Sequence, residues 1–436
     1  MTFILDTEKS KLARLATLIG MLLLIFSLAI GGPALAAKKK KSSRKNFIPS
    51  EITARKLLKV FELADEEKYQ EALDVLEPLT RKKKLKKYDK AKVYETRGYM
   101  FAALERYDDA RKSFEKALEQ DYLPDSSIES LKYGLAQLYL ADPTPENLDR
   151  SIALLNEWFE NAENPGYQPH FLLAAAYAQQ DAWDKALPHA RIAVEKAETQ
   201  GKVTEQFYGL LLAMEFQNGN LMESLEVLKI LASRYPKKQY YMQLAYAYSN
   251  MGDDDRAMAT LQLAYSLDFL DRDREFSQLA QRLLFAEVPW QAAKVMMAGF
   301  EKGVLEETAD NYELLANSLL HAREYDKALE PLSKAAEMSE DGDLYIRLAQ
   351  VHLEIENWKD ARTALEAAID KGDLREESRA QLLLGISNYN EKRYKSARRA
   401  FNLALKGDNT ADSARKWLKH VDRADAEAAA ASTTEG

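Results

Sequence analysis

The sequence predicts an all-α, right-handed α-solenoid of about ten helix hairpins, closed by a C-terminal capping helix. Three observations carry that expectation. A short motif, a large or aromatic residue followed three positions later by a small one, recurs along most of the chain. Each copy splits into two apolar stripes of helical period. And 436 residues that are 46% hydrophobic and 30% charged, with only 12 Pro and 17 Gly, have the composition of a folded helical chain too long for one ordinary core.

The N-terminus comes first. Lys9, Lys11 and Arg14 precede the apolar run LATLIGMLLLIFSLAIGG, and Ala34-Leu35-Ala36 follows a Gly-Gly-Pro break. A basic start, an apolar middle and an A-x-A site read as an export signal over residues 1–36, cut after Ala36. An uncleaved anchor facing the periplasm is the alternative, because Leu15–Ala37 has about the ~20 residues that span a bilayer. Both place the remainder in the periplasm. Residues 37–49 are a basic leader expected to be disordered. The chain has no cysteine, which excludes disulfides, thiolate catalysis, Cys-based zinc sites and lipid attachment after the signal.

The repeats fill residues 50–422. Clear copies of the motif are Tyr69…Ala72, Tyr107…Ala110, Trp183…Ala186, Trp290…Ala293, Tyr325…Ala328, Trp358…Ala361 and Tyr394…Ala397. Weaker ones are Leu148…Ser151, Leu221…Ser224 and Asp254…Ala257. The ten anchors lie 33 to 41 residues apart, the period of a helical solenoid. Upstream of each anchor a first helix carries a Leu-small pair and then a large residue, as in Leu173-Ala174…Tyr177 or Leu315-Ala316…Leu319. Downstream a second helix shows Ala110/Phe114/Ala117 or Ala397/Phe401/Ala404, one continuous face at i, i+4, i+7. Neither helix buries its stripe alone, so stacked hairpins share one core. Irregularities are expected at Asp142–Asn147 and Val288–Pro289, which read as insertions, and at Pro188 and Pro331, which predict kinks inside second helices. Glu215, His352 and Asn388 stand where a large apolar residue is usual. Asp412–Val421, with Trp417 and Leu418, reads as the capping helix, and residues 423–436 as a disordered tail.

The pattern Tyr94…Gly98…Phe101…Tyr107…Ala110…Phe114…Ala117 resembles a tetratricopeptide repeat position by position. A closer resemblance lies in the phrases LAQLYL, NEWFENAENP, YYMQLAYAY, ELLANSLLHAREYDKAL, DGDLYIRLAQVHLE and ARKWLKHV. Together these resemble the tetratricopeptide proteins encoded beside TonB, ExbB and ExbD in marine and other gammaproteobacteria. The resemblance implies a periplasmic accessory of nutrient or iron uptake, with TonB, ExbB or ExbD as partners. It also implies a peptide-binding inner face lined by first helices, which on this chain maps to Tyr99, Phe171, Tyr246, Asn250, Asn317, Arg347 and Gln350. A carboxylate clamp would need Lys and then Asn on one first helix. This chain has Glu313 and Asn317 there, with Arg347 on the next first helix, so a clamp is not expected.

Nothing in the sequence points to catalysis or a cofactor. The five histidines, His170, His189, His321, His352 and His420, are scattered without metal-ligand spacing. There is no phosphate loop and no nucleophile elbow. Acid pairs such as Asp108-Asp109 and Asp253–Asp255 read as lying in inter-helix turns, where they cap second helices. Charge is uneven, however. Residues 38–97 hold 19 Lys and Arg against 10 Asp and Glu; with +1 before them and −8 overall, the residues after Arg97 carry −18. The sharpest basic cluster is RKKKLKKYDKAK (Arg81–Lys92), with Lys82, Lys83, Lys84, Lys86 and Lys87 at its centre. It suits an anionic partner such as the inner-membrane surface, or it is a solvated linker. The expected function is a non-enzymatic scaffold for other proteins. An assembly factor for outer-membrane proteins or envelope polysaccharide export is the alternative.

Overall fold

The computed structural model describes residues 47–82 and 84–434, and among these every regular element is a helix. The expected export signal, the leader before Phe47 and Lys83 lie outside the described residues. The helices pair into ten hairpins. They are α1 Glu51–Asp65 and α2 Tyr69–Thr80; α3 Lys87–Ala103 and α4 Tyr107–Leu118; α5 Asp125–Ala141 and α6 Pro145–Asn161; α7 Tyr167–Gln179 and α8 Trp183–Thr199; and α9 Glu205–Gln217 and α10 Leu221–Arg234. There follow α11 Lys238–Asn250 and α12 Asp254–Ser266; α13 Asp273–Phe285 and α14 Pro289–Glu301; α15 Ala309–His321 and α16 Tyr325–Met338; α17 Asp343–Glu354 and α18 Trp358–Lys371; and α19 Glu377–Asn390 and α20 Tyr394–Ala404. A single helix, α21 Ala411–Thr434, ends the chain. One compact unit closes at Pro236, after five hairpins; a second opens at Lys237 and holds the other five and α21.

Within each unit a helix packs on its neighbours in sequence, and first helices also touch the next first helix, as α1 does α3 and α17 does α19. This stacking of hairpins is an α-solenoid architecture. It explains the two kinds of helix. A second helix such as α8 buries one stripe, Ala186, Ala190, Ala193, Val194 and Ala197. A first helix such as α7 is enclosed on most sides and buries Leu172 through Ala176 in succession.

Every hairpin turn has three residues. In nine of the ten, the middle residue is left-handed: Glu67, Glu105, Asp181, Gly219, Gly252, Glu287, Arg323, Glu356 and Lys392. Two backbone bonds close each of these turns. In the second, Arg106 N–H donates to Phe101 O at 2.9 Å and Glu105 N–H to Ala102 O at 3.0 Å. The same pair recurs from Lys68 N–H to Leu63 O through Arg393 N–H to Asn388 O. These bonds satisfy the last carbonyls of the first helix in the Schellman arrangement. In these nine hairpins the residue at the first-helix position where a large one is usual is the acceptor of the longer bond, so the turn fixes its place.

Eight of the ten anchors are the first residue of their second helix. Leu148 and Trp290 are not, because α6 begins at Pro145 and α14 at Pro289. Neither stretch is an insertion: both turns keep three residues. Proline suits the first helical position, where its missing N–H would have had no partner. Leu148 thus takes the slot of the small residue, and Ala292 rather than Ala293 is the equivalent of Ala72. The helices continue through Pro188, Pro331 and also Pro78.

The ends differ. At the C-terminus Trp417 lies flat on Phe401, ring centroids 5.8 Å apart, and Ala414 and Val421 are fully buried against the last hairpin. α21 then runs on through the stretch expected to be a disordered tail. Its alanines, which composition read as a tail, are the strongest helix formers. At the other end α1 leaves Ile52, Leu58 and Phe61 exposed.

Candidate protein-binding surface

The face expected to bind peptide is built by first helices, and each unit presents its own part. In the second unit, Glu313 and Asn317 stand one turn apart on α15, and Arg347 reaches both from α17. Its guanidinium donates to the Glu313 carboxylate and to the Asn317 side-chain oxygen. All three are half-buried. Two residues of one helix and one from the next first helix thus form one polar ladder. The acid in the expected lysine slot is neutralised by a cation from the next repeat, so this site has no free positive charge for a terminal carboxylate. Gln350, one turn beyond Arg347 on α17, is half-buried. On α11, Tyr246 and Asn250 are one turn apart and both exposed.

In the first unit the two aromatics named from sequence serve packing as well as surface. Tyr99 is half-buried and sets its ring edge-on to Phe114 at 5.0 Å. Burial, with the nearby Glu95 carboxylate, pushes its hydroxyl up to about 12. Phe171 rests on Phe207, centroids 4.6 Å apart.

The basic cluster falls in the link between α2 and α3. Lys82, Lys84, Lys86 and Lys87 are exposed, and among the described residues none of them has an ion-pair partner. Lys86 is the N-cap of α3 and Lys87 its first residue.

Two arrangements were not legible in the sequence as read. His170 on α7 and His189 on α8 bring their Nδ1 atoms within 3.0 Å, between the rings of Phe159 and Tyr177. One imidazole must donate and the other accept, so the two rings are not both protonated. Burial lowers both pKa values, that of His170 to about 4, with His189 and Lys196 adding to it. The hairpin turn was the signal that could have found them: antiparallel helices joined by three residues bring such positions together. Among the described residues no group of three or more His, Cys, Asp or Glu comes together as metal ligands.

The second is the account of Glu215, one of the three odd residues at first-helix ends. It is 3% exposed and takes two bonds from Arg191 of α8, Nε at 2.7 Å and Nη2 at 2.9 Å, and a third from Asn220 Nδ2 at 2.7 Å. A charged pair thus fills the place of an aromatic ring. Asn388 donates Nδ2 to Leu384 O at 2.9 Å and leaves its buried Oδ1 without a partner. His352 is half-buried, and burial lowers its pKa. Of the acid pairs, Asp253 does cap α12, its Oδ1 accepting from Arg256 N–H at 3.0 Å. Asp108 and Asp109 instead pair with Arg111 and Arg106.

Comparison with known proteins supplies the repeat type. Models described as tetratricopeptide repeat match residues 62–122, 346–414 and 238–269. The model of anaphase-promoting complex, cyclosome, subunit 3 matches 296–368. Among solved structures, a tetratricopeptide repeat protein from Parabacteroides merdae ATCC 43184 is 17% identical over 70% of this chain and 100% of its own, with TM-score 0.36. YrrB, described as a tetratricopeptide protein with an unusual peptide-binding site, is 18% identical over 40% of this chain and 85% of its own, TM-score 0.34. The anaphase-promoting hetero-tetramer Cut9-Hcn1 is 12% identical over 85% of this chain and 83% of its own, TM-score 0.28.

Proposed function

We propose that this tetratricopeptide-repeat chain is an exported, non-enzymatic scaffold that holds a segment of another protein against its first helices. The observation that carries this is the polar ladder of Arg347, Glu313 and Asn317, set on adjacent first helices of one unit. Asn317 and Arg347, facing each other from adjacent first helices, can exchange their mutual bond for bonds to a peptide backbone, whose carbonyls accept and whose N–H groups donate. In the same unit Tyr246 adds exposed aromatic area, which binds at low entropic cost. The sequence phrases that resemble the proteins encoded beside TonB, ExbB and ExbD support a place in that energy-transduction system, in the periplasm. The fold alone does not choose the partner.

Crosslinking in living cells, under iron-replete and iron-limited growth, followed by mass spectrometry tests this. Recovery of TonB, ExbB or ExbD, with crosslinks on α11, α15 or α17, is expected. Recovery weakens at least tenfold in the double variant Arg347→Ala, Tyr246→Ala, the effect of losing two contact residues worth about 1–2 kcal/mol each. Capture of outer-membrane proteins or export factors instead assigns the chain to envelope assembly.

A further inference from the structure

The N-terminal edge of the first unit breaks a rule of helix construction. The positive end of a helix favours carboxylates and disfavours cations. α3 begins with Lys86 as its N-cap, Lys87 as its first residue and Lys90 one turn on, and Lys82 and Lys84 precede them. The one acid in its first turn, Asp89, is 1% exposed and is engaged elsewhere: its Oδ1 accepts from Ser50 N–H at 2.8 Å. Among the described residues Lys84, Lys86, Lys87 and Lys90 have no carboxylate partner. By contrast Lys238, also at the start of a first helix, is held by Asp271 and by Glu275. Local stability does not account for the lysines of α3.

The same edge carries exposed apolar side chains. The Ser50–Asp89 bond pins the start of α1 to the start of α3, and Phe47 packs against Tyr88 and Tyr122, ring centroids 5.8 and 6.2 Å away. Ile48, between these fixed points, is 70% exposed, and Ile52, in the first turn of α1, is 57% exposed. The apolar–cationic pairing matches the interface of an anionic bilayer. There isoleucines enter the headgroup boundary, and lysines keep their charge at the phosphates while their stems lie along the apolar surface. Position in the chain agrees. Where the N-terminal apolar segment is kept as an anchor, only Ala37–Asn46 separate Phe47 from it, ten residues that extend at most about 36 Å. Glu51, beside Ile52, is already engaged by Arg55.

We infer that the edge formed by Ile48, Ile52, Lys84, Lys86 and Lys87 is a docking surface for an anionic phospholipid bilayer. It orients the first repeat on the membrane. This is independent of what the first-helix face binds.

The absence of cysteine makes the test direct. The full chain carrying Ile52→Cys is labelled with an environment-sensitive fluorophore and mixed with vesicles of phosphatidylcholine, with or without phosphatidylglycerol. A blue shift is expected only with phosphatidylglycerol, reversed by salt as surface charge is screened. Vesicle affinity read at position 52 falls about tenfold or more in Lys84→Glu, Lys86→Glu, Lys87→Glu. Glutamate at a helix start is favourable, so this variant keeps its fold, checked by circular dichroism. A fluorophore at Asp326→Cys, exposed in the second unit, stays unchanged. Three results overturn the inference. One is an equal shift with phosphatidylcholine alone. Another is sedimentation with vesicles while position 52 reports no change, which places the contact elsewhere in the chain. A response at position 52 to polyglutamate but not to vesicles also overturns it, and gives the edge to an acidic protein.

Discussion

The ring of Phe114 occupies the space that a methyl group on Gly98 would need: a Cβ there would lie 2.2 Å from two ring carbons. The last hairpin repeats the relationship, with a Cβ on Gly385 falling 2.4 Å from Phe401. In each case the glycine lies nine residues before the start of the second helix and the phenylalanine seven after it. Other hairpins put Ala136, Ala174, Ala316 or Ala349 in the glycine slot. The size of this first-helix residue and that of its partner are therefore matched, glycine accompanying phenylalanine.

Gly98→Ala is expected to destabilise the chain by about 1–3 kcal/mol, although alanine in a helix interior is otherwise favoured by about 1 kcal/mol. Phe114→Leu placed on top of it recovers part of the loss. Denaturant midpoints of the single and double variants check this; a stabilising Gly98→Ala would show that the ring moves aside freely.

Opposite signs are expected at the hairpin turns. Glu67 and Gly252 occupy the same left-handed slot, at φ 60° and 73°. Glu67→Gly relieves a backbone penalty and stabilises by about 0.5–1 kcal/mol, while Gly252→Ala costs about 1–2 kcal/mol. Thermal melts of the two variants, side by side, decide the point.

The Arg191–Glu215 pair separates a structural from an electrostatic role. Arg191→Ala strands a buried carboxylate and is expected to cost about 2 kcal/mol, less than a fully buried pair because the arginine is half exposed. Glu215→Leu removes the charge and restores the apolar residue usual at that place, with a change within about 1 kcal/mol. Equal losses in both variants would argue against this account.

The His170–His189 contact makes stability depend on acid. In the unfolded chain imidazole takes up its proton near pH 6.5, whereas His170 in the fold resists until about 4. Between those values the unfolded chain binds more protons, so the contribution is complete above pH 6.5 and is lost as pH falls toward 4. The melting midpoint is expected to drop by a few degrees from pH 7.5 to pH 5, and to drop less in His170→Phe. A pH profile of the variant parallel to that of the parent chain would exclude the pair as its source.

The repeat was legible because its slots are filled by size, and size is visible in a sequence. Tyr107, Ala110 and Phe114 announce a helix start and its buried face without any structural knowledge. What stayed hidden depends on backbone and partners. Pro145 and Pro289 look like interruptions until one knows that they open helices. The left-handed residue is Glu, Asp, Lys or Arg in seven of the nine turns that have one and Gly in only two, so side-chain identity does not reveal it. Glu215 is legible as an oddity, but its partner Arg191 stands on a different helix. The ladder of Glu313, Asn317 and Arg347 was within reach, since those residues were named together. The exposed Ile48 and Ile52 carried no signal until the Ser50–Asp89 bond placed them beside the lysines.

The uniform three-residue turns bear on how the chain reaches this state. Every hairpin closes over residues adjacent in sequence, so its search is short and can begin as soon as those residues have left the ribosome. Assembly then proceeds from neighbour to neighbour. Trp417, which shields the tenth hairpin, belongs to a helix made after it. Until it arrives, the tenth hairpin presents an unfinished apolar surface, and α21 is what covers it.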